Sequence, residues 1–163
     1  MPVNNDLRQQ VDLIVFDFDG VLTDNSVFVF EDGREAVRCS RADGLAFDMF
    51  RAAEIPAIIM STEHNTVVTA RAKKLKLPVA QAIVDKAAAI RTLVADQELD
   101  LARIMFIGND LNDLPALRIV GWPVAVADSH ERVRQASRII LQTRGGSGVA
   151  REVAESLFGL GFH

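Results

Sequence analysis

The run Leu13-Ile14-Val15-Phe16, branched and aromatic throughout, breaks off at Asp17-Phe18-Asp19-Gly20. A segment without polar alternates has no face to give to solvent, which fits a strand covered on both sides, as in parallel sheets. Asp17 then stands where the strand stops. Ligands of open α/β sheets bind outside the carboxyl ends of the strands, so a carboxylate at that point is placed for chemistry. Asp19 shares the crevice while Phe18 turns to the core, and Gly20 allows a tight turn just beyond.

Val27 to Phe30 and Ala36 to Cys39 flank Glu31-Asp32-Gly33-Arg34-Glu35, where Asp-Gly accommodates a turn, so a β-hairpin is expected at about 27–39. Helices are expected over Asp43 to Ala53, with Leu45, Ala46, Met49 and Phe50 inward, then over Glu63 to Leu75, Asp85 to Gln97 and Leu114 to Val120. Ala57 to Met60, Val79 to Val84, Arg103 to Gly108 and Trp122 to Ala127 read as strands. Asp128 is placed to cap a helix over Glu131 to Gln135, and Arg138 to Leu141 reads as the last strand. A glycine-rich loop, Arg144 to Gly148, leads to a final helix with Val149, Val153 and Leu157 on one face. This alternation predicts an α/β fold, a doubly wound parallel sheet with helices on both faces. A single domain over residues 1–163 is expected, with the hairpin as its one insertion.

Four strand ends carry reactive side chains in order: Asp17 and Asp19, then Ser61, then Lys86 near a helix start, then Asp110 and Asp113. Parallel strands bring these ends to one edge of the sheet, where carboxylates around one crevice repel one another unless a hard cation such as Mg²⁺ lies between them. The net charge is −4, and no basic block or basic-aromatic patch is present, so nucleic acid is an unexpected partner. The lone Cys39 forms no internal disulfide, which suits a reducing compartment. Met1 to Gln10 lacks the pattern of a signal peptide, and no apolar run reaches the ~20 residues that cross a bilayer. The expectation is a cytoplasmic protein without a membrane partner. His64, His130 and His163 are too scattered to argue a metal cluster and are expected at the surface.

Asp17-Phe18-Asp19-Gly20-Val21-Leu22-Thr23-Asp24, Ser61, Lys86 and Gly108-Asn109-Asp110-Leu111-Asn112-Asp113 resemble, in order and over essentially the whole chain, the four motifs of the haloacid dehalogenase superfamily. The resemblance implies a Rossmann-like core and a Mg²⁺-dependent phosphomonoesterase. Asp17 would attack phosphorus and form an aspartyl-phosphate, and Asp19 would protonate the leaving oxygen and then activate water. Ser61 would hydrogen-bond a phosphoryl oxygen and Lys86 would neutralise charge. The metal would be held at Asp17, Asp19 and Asp110, with Asp113 ordering its water shell.

Gly20 to Asp24, the hairpin, Asp43-Gly44, Gly108-Asn109-Asp110 and Gly145-Gly146-Ser147-Gly148 to Arg151-Glu152 look like the branch without a cap domain, phosphatases of 3-deoxy-octulosonate 8-phosphate and of nonulosonate 9-phosphates. The branch implies a small phosphorylated sugar acid as substrate and a homotetramer, with Thr62, Glu63 and Asn109 at the substrate and Arg151, on the last helix, at the substrate of an adjacent subunit's site. Ser61-Thr62-Glu63 departs from the Gly-Arg that follows the motif's Thr in octulosonate enzymes, which favours a nonulosonate, sialic-acid-type ester. The alternatives are the octulosonate ester and a non-catalytic assembly domain of the same fold. Receiver-type phosphoacceptors combine similar residues but lack the second acid, here Asp19.

Overall fold

The computed structural model describes residues 7–161. Its main sheet is parallel and six-stranded, formed by β1 (Leu13–Asp17), β4 (Ala57–Met60), β5 (Val79–Ala80), β6 (Ile104–Gly108), β7 (Trp122–Ala125) and β8 (Ile139–Ile140). The spatial order is β5-β4-β1-β6-β7-β8. From β1 the chain builds outward on one side, then crosses over and builds outward on the other. The carboxyl ends of β1, β4 and β6 therefore meet at the switch point, where a crevice is expected in an open sheet. Strands β2 (Phe28–Val29) and β3 (Glu35–Ala36) form a separate antiparallel hairpin, closed at its base by a Thr23–Cys39 bridge.

All five residues of β1 are buried, and their alternation explains why no polar residue interrupts the run. Ile14 and Phe16 belong to the core shared with α2 (Arg41–Ala52), α3 (Thr66–Leu75) and α7 (Val149–Glu152, extended by a wide turn over Val153–Leu157). Leu13 and Val15 belong to the opposite core, under α4 (Lys86–Asp96), α5 (Leu114–Leu117) and α6 (Glu131–Ala136). The first core is aromatic. Phe16 meets Phe47 edge-on with ring centres 5.1 Å apart, and Phe50 meets Phe158 at 5.8 Å. A short helix, α1 (Leu7–Gln10), buries Leu7 in the same core.

Several boundaries and faces differ from the sequence expectation, each for a capping or packing reason. Asn65 accepts from the Val67 N–H and starts α3 at Thr66, so Glu63 lies ahead of the helix. His130, through Nδ1, caps α6, while Asp128 accepts from the Gly145 N–H instead. Phe47 takes the core position on α2 that the spacing gave to Leu45, which is exposed. The hairpin strands are two residues each, shorter than expected, and Val27 to Phe30 stay about half to two-thirds exposed. His163 lies outside the described residues.

Candidate active site

Asp17, the last residue of β1, pairs in register with Met60 at the end of β4, so the acid and Ser61 emerge side by side. The chain then turns through Gly20, whose φ of 81° is in the left-handed region, and whose Cα faces the Asn109 side chain so closely that a Cβ would collide with it. Thr23 fixes the turn, its buried Oγ1 accepting from the Gly20 N–H at 3.1 Å and the Asn25 N–H at 3.2 Å.

Asp85 caps α4, which puts Lys86 at the first helical position and inside the protein. Its Nζ donates to Asp17 at 2.7 Å and to Asp113 at 2.6 Å, with all three side chains 5% exposed or less. Burial alone would lower the Lys86 pKa, but the two carboxylates outweigh it and hold the ammonium charged. Burial, followed by repulsion from Asp113, pushes the Asp17 carboxyl well above the usual carboxylate range, against the pull of Lys86. Burial also raises Asp19, helped by Glu63 and Glu35, so this acid holds its proton more readily than an exposed aspartate.

A cavity of about 280 Å³ opens beside these residues, lined by Asp17, Asp19, Thr62, Glu63, Asn109 and Asp110, with Glu35 and Val27 from the hairpin side. Asp110 caps the turn Leu111–Asp113 and is exposed at the cavity. The remaining expected residues lie elsewhere. Lys86 sits behind Asp17, as a group that charges the nucleophile's surroundings must. Ser61, 1% exposed, accepts from the Glu63 N–H at 3.1 Å, which leaves its hydroxyl hydrogen to donate.

Asp113 is not among the residues that line the cavity. One oxygen accepts from Lys86 and the other from the Asn109 and Asp110 N–H groups, so it ties Lys86 to the loop. Arg151 lies away from the cavity, its Nη1 3.4 Å from Glu155. Sequence reasoning missed Glu35 and Asn65. The Asn65 amide donates to Glu35 at 2.8 Å and ties the hairpin to the start of α3 across the cavity. The helix-capping position of Asn65 was a local signal; its reach to the hairpin had none.

Among the described residues no Lys or Arg lines the cavity, whereas five carboxylates do: Asp17, Asp19, Glu35, Glu63 and Asp110. Such a site binds a phosphate ester only with a cation present. Among the described residues no three His, Cys, Asp or Glu side chains form a preformed metal cage. The available donors are instead hard oxygens, two carboxylates (Asp17 and Asp110) and main chain, with room for water and phosphate. That set fits Mg²⁺, which keeps several waters and takes few protein ligands.

Residues 46–153 match the family model described as haloacid dehalogenase-like hydrolase. A solved structure described as a HAD family hydrolase from Streptomyces avermitilis superposes with TM-score 0.90 at 44% identity, covering 93% of this chain and 87% of the other. The 3-deoxy-D-manno-octulosonate 8-phosphate phosphatase of Moraxella catarrhalis, solved with magnesium, phosphate and the sugar acid, superposes with TM-score 0.87 at 30% identity, covering 94% and 90%. The Yersinia pestis phosphatase of the same ester is 28% identical over 158 residues, 94% of this chain and 84% of that one.

Proposed function

The chain belongs to the haloacid dehalogenase-like hydrolases, and from that premise we propose that it is a Mg²⁺-dependent phosphatase of a small phosphorylated sugar acid, working through Asp17. The observation that carries this reading is Asp17 itself: a carboxylate at a strand end, ion-paired to buried Lys86 and opening on a cavity it shares with Asp19 and Asp110. Asp17 attacks phosphorus and becomes the aspartyl-phosphate. Asp19, whose surroundings favour its protonated form, gives a proton to the departing alkoxide. The same carboxylate then takes a proton from the water that releases phosphate and regenerates Asp17. Ser61 donates to a phosphoryl oxygen, and Lys86 offsets the charge of Asp17. Asp17, Asp110 and the Asp19 carbonyl are the residues that would hold Mg²⁺, which when bound neutralises phosphoryl oxygens.

Relatives across most of the chain act on 3-deoxy-D-manno-octulosonate 8-phosphate, which supports that ester as substrate. Glu63 favours the second reading, a nonulosonate 9-phosphate, because an exposed carboxylate on the sugar side of the cavity accepts from hydroxyls or an amide N–H. Phosphate release from the two esters with Mg²⁺, and its loss on chelation, tests the assignment. No steady release from either would leave a phosphoacceptor or an assembly module. Glu63→Ala should lower kcat/KM on the true substrate by roughly 10- to 100-fold, the cost of one buried hydrogen-bond partner, and spare p-nitrophenyl phosphate. Equal losses on both would mean that Glu63 does not read the sugar.

The hairpin supports a homotetramer. Phe28 and Val29 are 65% and 68% exposed, with Val27 and Phe30 beside them, and a contiguous apolar strip next to a cavity mouth favours burial by another subunit. Light scattering should give about four times the 17.9 kDa chain mass, and Phe28→Asp should reduce it. A monomeric mass for the parent at micromolar concentration would exclude the assembly.

A further inference from the structure

The Gly145-Gly146 turn backs the loop that carries the catalytic acids. The Gly146 N–H donates to the Val21 carbonyl at 3.0 Å. Gly145 lies so close to the Gly20 carbonyl that a Cβ there would collide with it, and a Cβ on Gly146 would meet the Thr23 carbonyl carbon at 2.6 Å. The turn Asp19-Gly20-Val21 is thus held between the Asn109 side chain on one side and this glycine turn on the other.

The glycine turn is itself tethered from outside. Glu152 accepts from the Gln142 and Thr143 N–H groups at 2.9 and 2.7 Å, and Asp128 accepts from the Gly145 N–H at 2.9 Å. The end nearest α7 lacks a tether of its own. The residue at the N-cap position is Gly148, with φ 98° and no side chain to accept the first helical N–H groups. Asp43, in the first turn of α2 and 1% exposed, fills that place from across the fold, its Oδ1 accepting from the Ala150 N–H at 2.9 Å. Among the described residues its other oxygen has no hydrogen-bond partner of normal geometry, and neither has the Nε of Arg71 or of Arg151, although the Arg151 N–H and both guanidinium groups lie close enough to favour the ionised form. A carboxylate kept in so dry a place is expensive for stability alone. Burial pushes its pKa up to about 6.

We propose that Asp43 is a positioning residue for proton transfer: by capping α7 in place of Gly148 it clamps the Gly145-Gly146 turn against the Asp19 loop and so sets the reach of the Asp19 carboxyl to the leaving oxygen. This rests on the phosphatase reading with Asp19 as acid. Asp43 is not among the residues that line the cavity and acts through the chain that links Ala150 to Gly146 and Gly146 to Val21.

The signature of a displaced general acid is dependence on the leaving group. An alkyl phosphate departs as a strongly basic alkoxide and needs the proton, whereas p-nitrophenolate leaves nearly unaided. Asp43→Ala should therefore lower kcat/KM, which reports the steps up to departure of the leaving group and excludes the later attack of water that both esters share, roughly 10- to 100-fold on the alkyl ester, as a misplacement of about 1 Å does, and by less than about 5-fold on p-nitrophenyl phosphate. Asp43→Asn keeps an oxygen for the Ala150 N–H and drops the costly charge, so it should stay within about 3-fold of the parent on both esters. Glu152→Ala cuts the other tether at a less buried position and should show the same split between esters, which covers the case in which Asp43→Ala does not fold.

A parent that hydrolyses neither ester would overturn the phosphatase reading itself. With an active parent, equal losses on the two esters in the folded variants, or an Asp43→Asn no better than Asp43→Ala, would overturn the positioning role and leave that reading standing.

Discussion

Asp17→Asn should abolish phosphate release, by about three orders of magnitude or more, because an amide can neither attack phosphorus nor leave as a carboxylate from the intermediate. The fold should survive the change. Asp17, Lys86 and Asp113 form a buried cluster with two negative charges and one positive, all three side chains being 5% exposed or less. Neutralising Asp17 leaves Lys86 balanced against Asp113 alone, so the cluster loses its surplus charge without losing volume. The direction of the Asp17 shift agrees: a carboxyl raised by burial is disfavoured as an ion in the folded protein, and stability is lost as pH rises through its titration. Urea unfolding at neutral pH in the presence of a chelator should therefore show the variant at least as stable as the parent. Residual turnover near the parent rate with Mg²⁺ would remove Asp17 from the nucleophile's place.

Lys86→Met should be damaging in both respects. It strips the only cation from the cluster and leaves Asp17 and Asp113 buried side by side, the situation in which breaking a buried ion pair costs ~3–5 kcal/mol. Activity should fall at the same time, since nothing remains to offset the charge of the nucleophile as an anionic ester approaches. Adding Asp17→Asn to Lys86→Met should return a large part of the stability but none of the activity. Asp113 alone still accepts from the Asn109 and Asp110 N–H groups, so its remaining charge is hydrogen-bonded. Chemical denaturation of the four proteins closes this cycle, and additivity of the two changes would show that the residues do not share one electrostatic cluster.

Glu35 and Glu63 line the cavity, and Asn65 holds Glu35 in place at 2.8 Å. On the proposed reading they would present acceptors to a sugar's hydroxyls, and their charges add to the burial that raises the Asp19 pKa.

The sheet, its central strand and the acids at that strand's end were legible from residue pattern. Leu13 to Phe16 is covered on both faces, so its apolar run reports burial directly, and the motif that follows is contiguous. Periodicity reports which face of an element is covered; it is silent about what covers it. Tertiary structure alone therefore decided the partnerships across the chain. Lys86 reaches Asp17 over 69 residues of sequence and Asp113 over 27, which joins three separate motifs in one buried ion cluster. Local competition between caps hid the rest: Asn65 outcompeted residues further upstream and moved the start of α3, while α6 starts at Glu131 as expected but is capped by His130 and not by Asp128. The Gly145 to Gly148 loop was visible as glycines, but its function depends on backbone atoms at Gly20 to Asp24 and on Asp43, 107 residues from the Ala150 N–H it accepts. A glycine records that something comes close, and only the packed chain shows what.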